Sequence, residues 1–361
     1  MALAVVRSLA SPRALRSQQD FEDFEQELVD QYLLSGLGAG LADSTIANER
    51  AALFEFVDFL GRPVWTTTST DADRYLAALR TERGLAKTTV YTKALTLARF
   101  FDFLIFRYQG DVHALTGYVL EQPIDEFNKP VNPAYGEVRI PPSDAETEAL
   151  FTGWRDSLAH ARKYLPAVRD YMAASLWRRA GLRINETLIL DVGDWRPDLG
   201  ELGMVHVRHG KGSRGRGPKS RLVPAINSVD ALMHWWFTDI RHQFGDDWAD
   251  PSAPLLPSER RDRVTGRCGR AGASTLREGL AAAVETWLPA WSSRMSPHVL
   301  RHYCASSLYL RGLDLKAIQD LLGHEWLSTT TRYIHVPASH VEQAWLVAND
   351  RVQARLGLET G

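Results

Sequence analysis

Cysteine is nearly absent from this chain: Cys268 and Cys304 are the only two in 361 residues. Two thiols so far apart form neither a disulfide framework nor a close-spaced ligand set, which points to a reducing compartment and two incidental thiols. Long apolar runs are also missing. No stretch approaches the roughly 18 apolar residues of a membrane helix, and Met1 to Arg16 lacks a long apolar core followed by a small-residue cleavage site. A soluble cytoplasmic protein is expected. No internal repeat or low-complexity tract stands out. Net positive charge is lacking as well: 42 Lys and Arg face 44 Asp and Glu, a balance of −2. That balance argues against a protein that coats nucleic acid indiscriminately.

What is present suggests about two domains with packed cores, given the length and a hydrophobic content of 45%. The charge is unevenly spread. Residues 1–142 carry 14 Lys and Arg against 19 Asp and Glu, whereas residues 143–361 carry 28 against 25. Basic residues cluster in the second part: Arg208, Lys211, Arg214, Arg216, Lys219 and Arg221 form one group, and Arg260, Arg261, Arg263, Arg267, Arg270 and Arg277 another. Either group could track a nucleic-acid backbone, and either could be a solvated face.

Met1 to Gln19 shows little periodicity and reads as a flexible lead. Phe21, Phe24, Leu28 and Tyr32 recur at three- and four-residue steps, so the acidic stretch from Asp20 to Asp30 is expected to be a helix with one apolar stripe. Further helices are expected over Ser44 to Leu60, Asp71 to Arg83 and Thr88 to Tyr108, giving a four-helix domain over residues 20–120. Five prolines lie between Glu121 and Pro142, a composition that cannot continue a helix or a central strand, so residues 121–142 read as the linker. The domain beyond, residues 143–361, opens on Ser143-Asp144-Ala145-Glu146, the spacing of a capping box. A helix is expected over Ala167 to Ala180, broken by Gly181. Runs at Met204 to Arg208 and Arg221 to Ala225 suggest two strands joined by a basic turn, with helices dominating thereafter. The fold class is therefore mainly α with a small β-sheet.

Four segments carry the chemistry: Gly181-Leu182-Arg183-Ile184-Asn185-Glu186, His298-Val299-Leu300-Arg301-His302, Leu321-Leu322-Gly323-His324, and Thr329-Thr330-Thr331-Arg332-Tyr333-Ile334-His335. Cleaving a phosphodiester builds negative charge on non-bridging oxygens, which the forked, permanently charged guanidinium matches better than an ammonium does. Arg183 and Arg301 are the expected pair. His298 and Arg301, three apart, should share a helix face while His302 and Tyr303 point elsewhere. Gly323 suits the left-handed position ending a helix over Leu315 to Leu322. It would turn His324 away, with Ser328 or Thr329 capping the next helix and Tyr333 within about two turns of its start. A phenol with a pKa of about 10 needs a base or a cationic site to attack phosphorus, and the leaving 5′-oxygen needs a proton.

Arg183, Lys211, His298, Arg301, His324 and Tyr333, in that order, resemble the tyrosine recombinases, the phage integrase family. The resemblance covers residues 143–361 by motif and residues 20–120 only by helical pattern and position, where the family places its SAM-like core-binding domain. It implies a site-specific DNA recombinase with Tyr333 as nucleophile, a 3′-phosphotyrosyl intermediate, and integration, excision or resolution as the outcome. Lys211 is then the proton donor, His298 the acid/base partner, His324 a phosphate donor, and Glu186 an orienting group. No cofactor, metal or ATP is implied, since the arginines supply the charge stabilisation. The expected partner is a double-stranded recombination site held by a homotetramer on two duplexes, with accessory DNA-binding proteins possible and a nucleoid-associated location. The lack of an obvious extra N-terminal domain favours a simple recombinase over an arm-binding integrase.

Departures from the family pattern leave alternatives open. The turn after Gly210 is longer than the common version, so Lys219 rivals Lys211. DNA-contact candidates are Lys87, Lys93 and Arg99 in the first domain, with Tyr91 either contact or core, and Arg214, Arg216, Lys219 and Arg221 in the second. Arg332 and His335 read as exposed neighbours of the nucleophile, Trp326 as site wall or core, and the stripe within Ala338 to Leu356 as a tail helix docked in cis or on a neighbouring subunit. A type IB topoisomerase-like enzyme and a DNA-binding regulator that does not cut are the competing functions.

Overall fold

The computed structural model of the chain describes residues 15–132, 140–210, 219–246, 248–324, 327–331, 334, 345, 346 and 349. The chain divides into two compact units near residue 137. Lys211, Arg214, Arg216, Trp326, Arg332, Tyr333 and His335 lie outside the described residues, as does most of the expected tail helix.

The first unit is built from α1 (Gln18–Gly38), α2 (Asp43–Leu60), α3 (Ser69–Thr81) and α4 (Lys87–Thr116). Local chemistry sets their ends. Ser17 Oγ accepts from Asp20 N at 3.2 Å while Ser17 N donates to Asp20 Oδ2 at 2.9 Å, a closed capping box. Thr68 and Asp71 repeat it at the start of α3. Gly61 and Gly117 end α2 and α4 in the left-handed region, at φ 62° and 77°. The apolar faces meet in a core that includes Phe24, Leu28, Leu53, Phe56, Phe100 and Phe101. The expected stripe on α1 is thus the buried one, with Phe21 at its half-buried edge. Leu120 and Ile124 join this core, so the proline-rich stretch begins packed on the first unit.

The second unit opens with α5 (Asp144–Ser157), where Ser143 and Glu146 form the expected capping box: Glu146 N donates to Ser143 Oγ at 3.2 Å, and Ser143 N to Glu146 Oε2 at 2.8 Å. Next, α6 (Tyr164–Ala180) buries Val168, Met172, Leu176, Trp177 and much of the rest of its circumference, because other elements cover it on several sides. A one-turn α7 (Ile184–Leu188) leads to an antiparallel sheet of β1 (Trp195–Arg196), β2 (Met204–Gly210) and β3 (Lys219–Pro224), in that order. Val205 and Val207 on β2 and Val223 on β3 face the core, as period-two alternation requires. After α8 (Val229–Trp235) and a π-helical turn come β4 (Pro257–Arg261) and β5 (Cys268–Arg270). The unit then continues through α9 (Ala273–Trp287), α10 (Pro297–Leu310), α11 (Leu315–Leu322) and α12 (Leu327–Thr331).

Helices do dominate after β3, beginning with α8, but the arginine-rich stretch around Arg260 to Arg270 adds the β4–β5 hairpin, which the sequence reading does not anticipate. Its signal is turn chemistry instead of apolar alternation: Asp262 Oδ1 accepts from Val264 N at 3.0 Å and Thr265 N at 2.7 Å, and Gly266 follows at φ 69°. In addition, α12 begins at Leu327, ahead of the Ser328 or Thr329 expected to cap it.

Arg241 is fully buried and bidentate on Asp246, with Nη2 donating to Oδ2 at 2.9 Å and Nε to Pro254 O at 3.1 Å. Removing one partner of a buried pair strands the other charge. Asp246→Ala is therefore expected to cost about 3–5 kcal/mol, read as a lower denaturant midpoint; a loss under about 1 kcal/mol would contradict a fully desolvated pair.

Candidate active site

The site is assembled where helix ends of the second unit meet. Gly181 ends α6 at φ 62°, and a Cβ there would lie 2.5 Å from Leu322 Cδ2, so only glycine lets α11 approach. Arg183, two residues on, is the N-cap of α7, and Glu186 is its N3 residue. Arg183 N donates to Glu186 Oε2 at 2.9 Å and Arg183 Nη1 to Glu186 Oε1 at 2.6 Å. Arg183 Nη2 reaches Gly323 O at 3.3 Å.

Two more arginines come from distant elements. From β3, Arg221 donates through Nη1 to Glu186 Oε1 at 2.9 Å and through Nη2 to Oε2 at 2.8 Å. Its Nε donates to Leu321 O at 3.0 Å. From α10, Arg301 places Nη1 3.9 Å from Glu186 Oε2 and donates to Gly181 O, and its Nη2 donates to Leu322 O at 2.7 Å. The same Nη2 meets His324 Nε2 at 2.9 Å, and His324 Nδ1 lies 3.0 Å from Thr330 Oγ1. A guanidinium only donates, so Nε2 is the acceptor and Nδ1 carries the proton toward Thr330. Three guanidinium charges thus surround one carboxylate that is only 2% exposed. The surplus is positive and suits an anionic group such as a phosphodiester.

A family model described as the phage integrase family matches residues 156–340, just over half of the chain. The chain belongs to the phage integrase family. It is a DNA breaking-and-rejoining enzyme of the tyrosine recombinase type. Tyrosine recombinase XerC of Vibrio parahaemolyticus is 28% identical over 305 residues, spanning 82% of this chain and 83% of that one. Among solved structures, the Tn1549 transposon integrase in complex with transposon right end DNA superimposes with a TM-score of 0.63 at 18% identity, over 89% of this chain and 99% of that one. The XerH site-specific recombinase bound to palindromic difH substrate gives a TM-score of 0.62 at 18% identity, over 92% and 85%. At that identity the two likenesses concern the fold.

In this integrase-family chain, Arg183, Arg301 and His324 are brought together, and Arg221 joins them. Arg221, a DNA-contact candidate by charge, has a side chain only 12% exposed and turned onto Glu186. Its strand position two residues beyond Lys219 was legible, but its inward direction needed the register of β2 against β3. His298 is exposed on the first turn of α10, its ring edge-on to His302 with centroids 4.7 Å apart. His302 therefore shares the His298 face, four residues on, contrary to the expectation that it points elsewhere. Tyr303 does point elsewhere, donating to Asp144 Oδ1 at 2.6 Å.

The remaining candidates are divided. Lys87 is exposed on the first turn of α4. Lys93 Nζ sits 2.9 Å from Glu55 Oε2, and Arg99 Nη2 2.8 Å from the buried Glu49. Lys219 pairs with Gly210 across the sheet. Sequence reasoning missed a support beneath α7: Arg208 from β2 and Arg270 from β5 both grip Asp191, and Arg208 Nε also contacts Asp194 Oδ1 at 2.8 Å.

Burial alone would push the Glu186 carboxyl up, but the guanidinium groups of Arg221 and Arg183 outweigh it and hold the group down at about 2. Burial lowers His324, and the charges of Arg301, Arg183 and Arg221 lower it further, to about 3, so the imidazole is neutral at physiological pH. The unfolded chain takes up a proton on His324 near its ordinary value of 6.5, whereas the native state refuses it until about 3. Stability is thus lost as pH falls between those values, at no more than about 1.4 kcal/mol per pH unit for one proton. Glu186 adds a further loss between its ordinary 4.5 and about 2. His324→Gln is expected to flatten the slope of urea midpoints against pH between 6.5 and 4.5, and an unchanged slope would mean that His324 is not held neutral.

Proposed function

We propose that the protein is a site-specific recombinase in which Tyr333 attacks a DNA phosphodiester and forms a 3′-phosphotyrosyl link. Arg183 and Arg301 neutralise the non-bridging oxygens, and His324 donates to the phosphate in the tautomer with its proton on Nε2, Arg301 Nη2 turning from that nitrogen to the anion. His298 takes the phenolic proton as the bond to phosphorus forms. The P–O5′ bond breaks, and Lys211, with Lys219 as its rival, protonates the leaving 5′-oxygen. Resealing reverses the step with the 5′-hydroxyl of a partner strand. The phosphotyrosyl ester stores the bond energy, so neither ATP nor a metal ion takes part.

One observation carries this reading: the guanidinium groups of Arg183 and Arg301 meet around Glu186 at the end of α11 with His324 in contact, and Tyr333 follows nine residues after His324 in the sequence. A surplus of fixed positive charge at a partly dry site stabilises a pentavalent phosphorane more than the same charges would in water. XerC and the DNA-bound integrase and XerH structures support double-stranded DNA as the partner. The family resemblance supports four protomers on two duplexes, with Lys87, Arg214 and Arg216 among the backbone contacts and accessory DNA-binding proteins as helpers.

Covalent trapping tests this. Wild-type and Tyr333→Phe protein, incubated with a pool of nicked duplexes and denatured in SDS, are expected to differ completely, with a Tyr333-dependent adduct enriched in one sequence. Adducts spread over all sequences would favour a topoisomerase-like enzyme, and no adduct with tight duplex binding would favour a regulator that does not cut.

A further inference from the structure

By charge and position Arg221 is one of the DNA-contact candidates of β3, yet its guanidinium is spent inward. It spans two segments far from its own in sequence, since 35 residues separate it from Glu186 and 100 from Leu321. Both Nη atoms lie on the two carboxylate oxygens of Glu186, and Nε lies on the last turn of α11. We propose that Arg221 is a positioning residue of the strand-breaking site: by gripping Glu186 and the α11 end together, it keeps Arg183 and the turn bearing His324 in the geometry that receives a phosphate. This rests on the recombinase reading above.

Three physical points support it. The contact is fork to fork, with one guanidinium edge on one carboxylate, an arrangement that an ammonium cannot reproduce. Glu186 also accepts from Arg183, and the carboxylate that Arg221 shares is correspondingly less able to hold Arg183 away from an incoming anion. Without Arg221, Glu186 would pair fully with Arg183 and quench the charge meant for the phosphate. Finally, Gly323 is shaped around this side chain: its φ is 65°, and a Cβ there would lie 2.9 Å from Arg221 Nη1 and 3.0 Å from Arg221 Cδ. The residue preceding His324 therefore leaves room for Arg221 as well as making the turn.

A backbone contact and a positioning residue differ in what they change. Loss of a phosphate contact weakens binding and lowers the salt slope by about one, with the rate at saturation intact. Loss of a positioning residue lowers the rate at saturating DNA and leaves affinity alone. Because Arg221→Ala strands a buried carboxylate and threatens the fold, the variant of choice is Arg221→Lys, with its thermal midpoint measured beside that of the wild type. The substrate is the duplex enriched by Tyr333-dependent trapping.

Arg221→Lys is expected to slow single-turnover adduct formation by about 10- to 100-fold at saturating duplex, with Kd and salt slope unchanged. On a Glu186→Gln background the same change is expected to cost less than about twofold, because its effect runs through that carboxylate. A weaker Kd with a lower salt slope and an intact saturated rate would overturn the inference, as would an undiminished rate or full additivity with Glu186→Gln. If the wild-type protein itself forms no adduct while Arg221→Lys folds normally, the recombinase reading fails and takes this inference with it.

Discussion

The site depends on one carboxylate buried among arginines. Glu186 neutralises part of the charge of Arg183, Arg221 and Arg301 while leaving a surplus, and without it three guanidinium groups would lie side by side, partly desolvated, with no counter-charge among them. Each arginine also reaches a carbonyl at a helix end: Gly323 for Arg183, Leu321 for Arg221, and Gly181 and Leu322 for Arg301. Those carbonyls lie at the negative ends of α6 and α11, where helix dipoles favour cations. Ionic and helical contributions therefore converge on the same few ångströms.

The same logic explains why a nearly neutral chain can carry a cationic site. Many basic residues are already committed to internal partners: Lys93 to Glu55, Arg99 to Glu49, Arg208 and Arg270 to Asp191, and Arg241 to Asp246. Counting charges along the sequence therefore overstates what is left for a polyanion. What matters is the charge left over at particular places, and around Glu186 that remainder is positive.

Much of the fold was legible because it is written locally. In the second unit α5 starts at the capping box of Ser143 and Glu146 and α6 and α11 end at Gly181 and Gly323, all of which the sequence displays, and the apolar stripe expected on α1 in the first unit is the buried one. The β4–β5 hairpin was not legible, since its strands have no apolar alternation and its turn rests on the Asp262 side chain. The orientation of His302 was misread because three-residue spacing on α10 drew attention to Arg301, while four-residue spacing brings the two imidazoles together.

By itself the sequence determined the element types, the order of the candidate residues and the chemistry they could perform, because side-chain identity and short spacings carry that information. It could not decide that Arg221 faces inward. Arg183 and Arg301 stand in the motif as the expected pair, whereas only the register of β3 against β2 and the packing of α6, α10 and α11 bring Arg221 to Glu186 beside them. That choice belongs to the tertiary structure, since the partners lie far apart in sequence and the cost of burying a charge is known only once its surroundings are built.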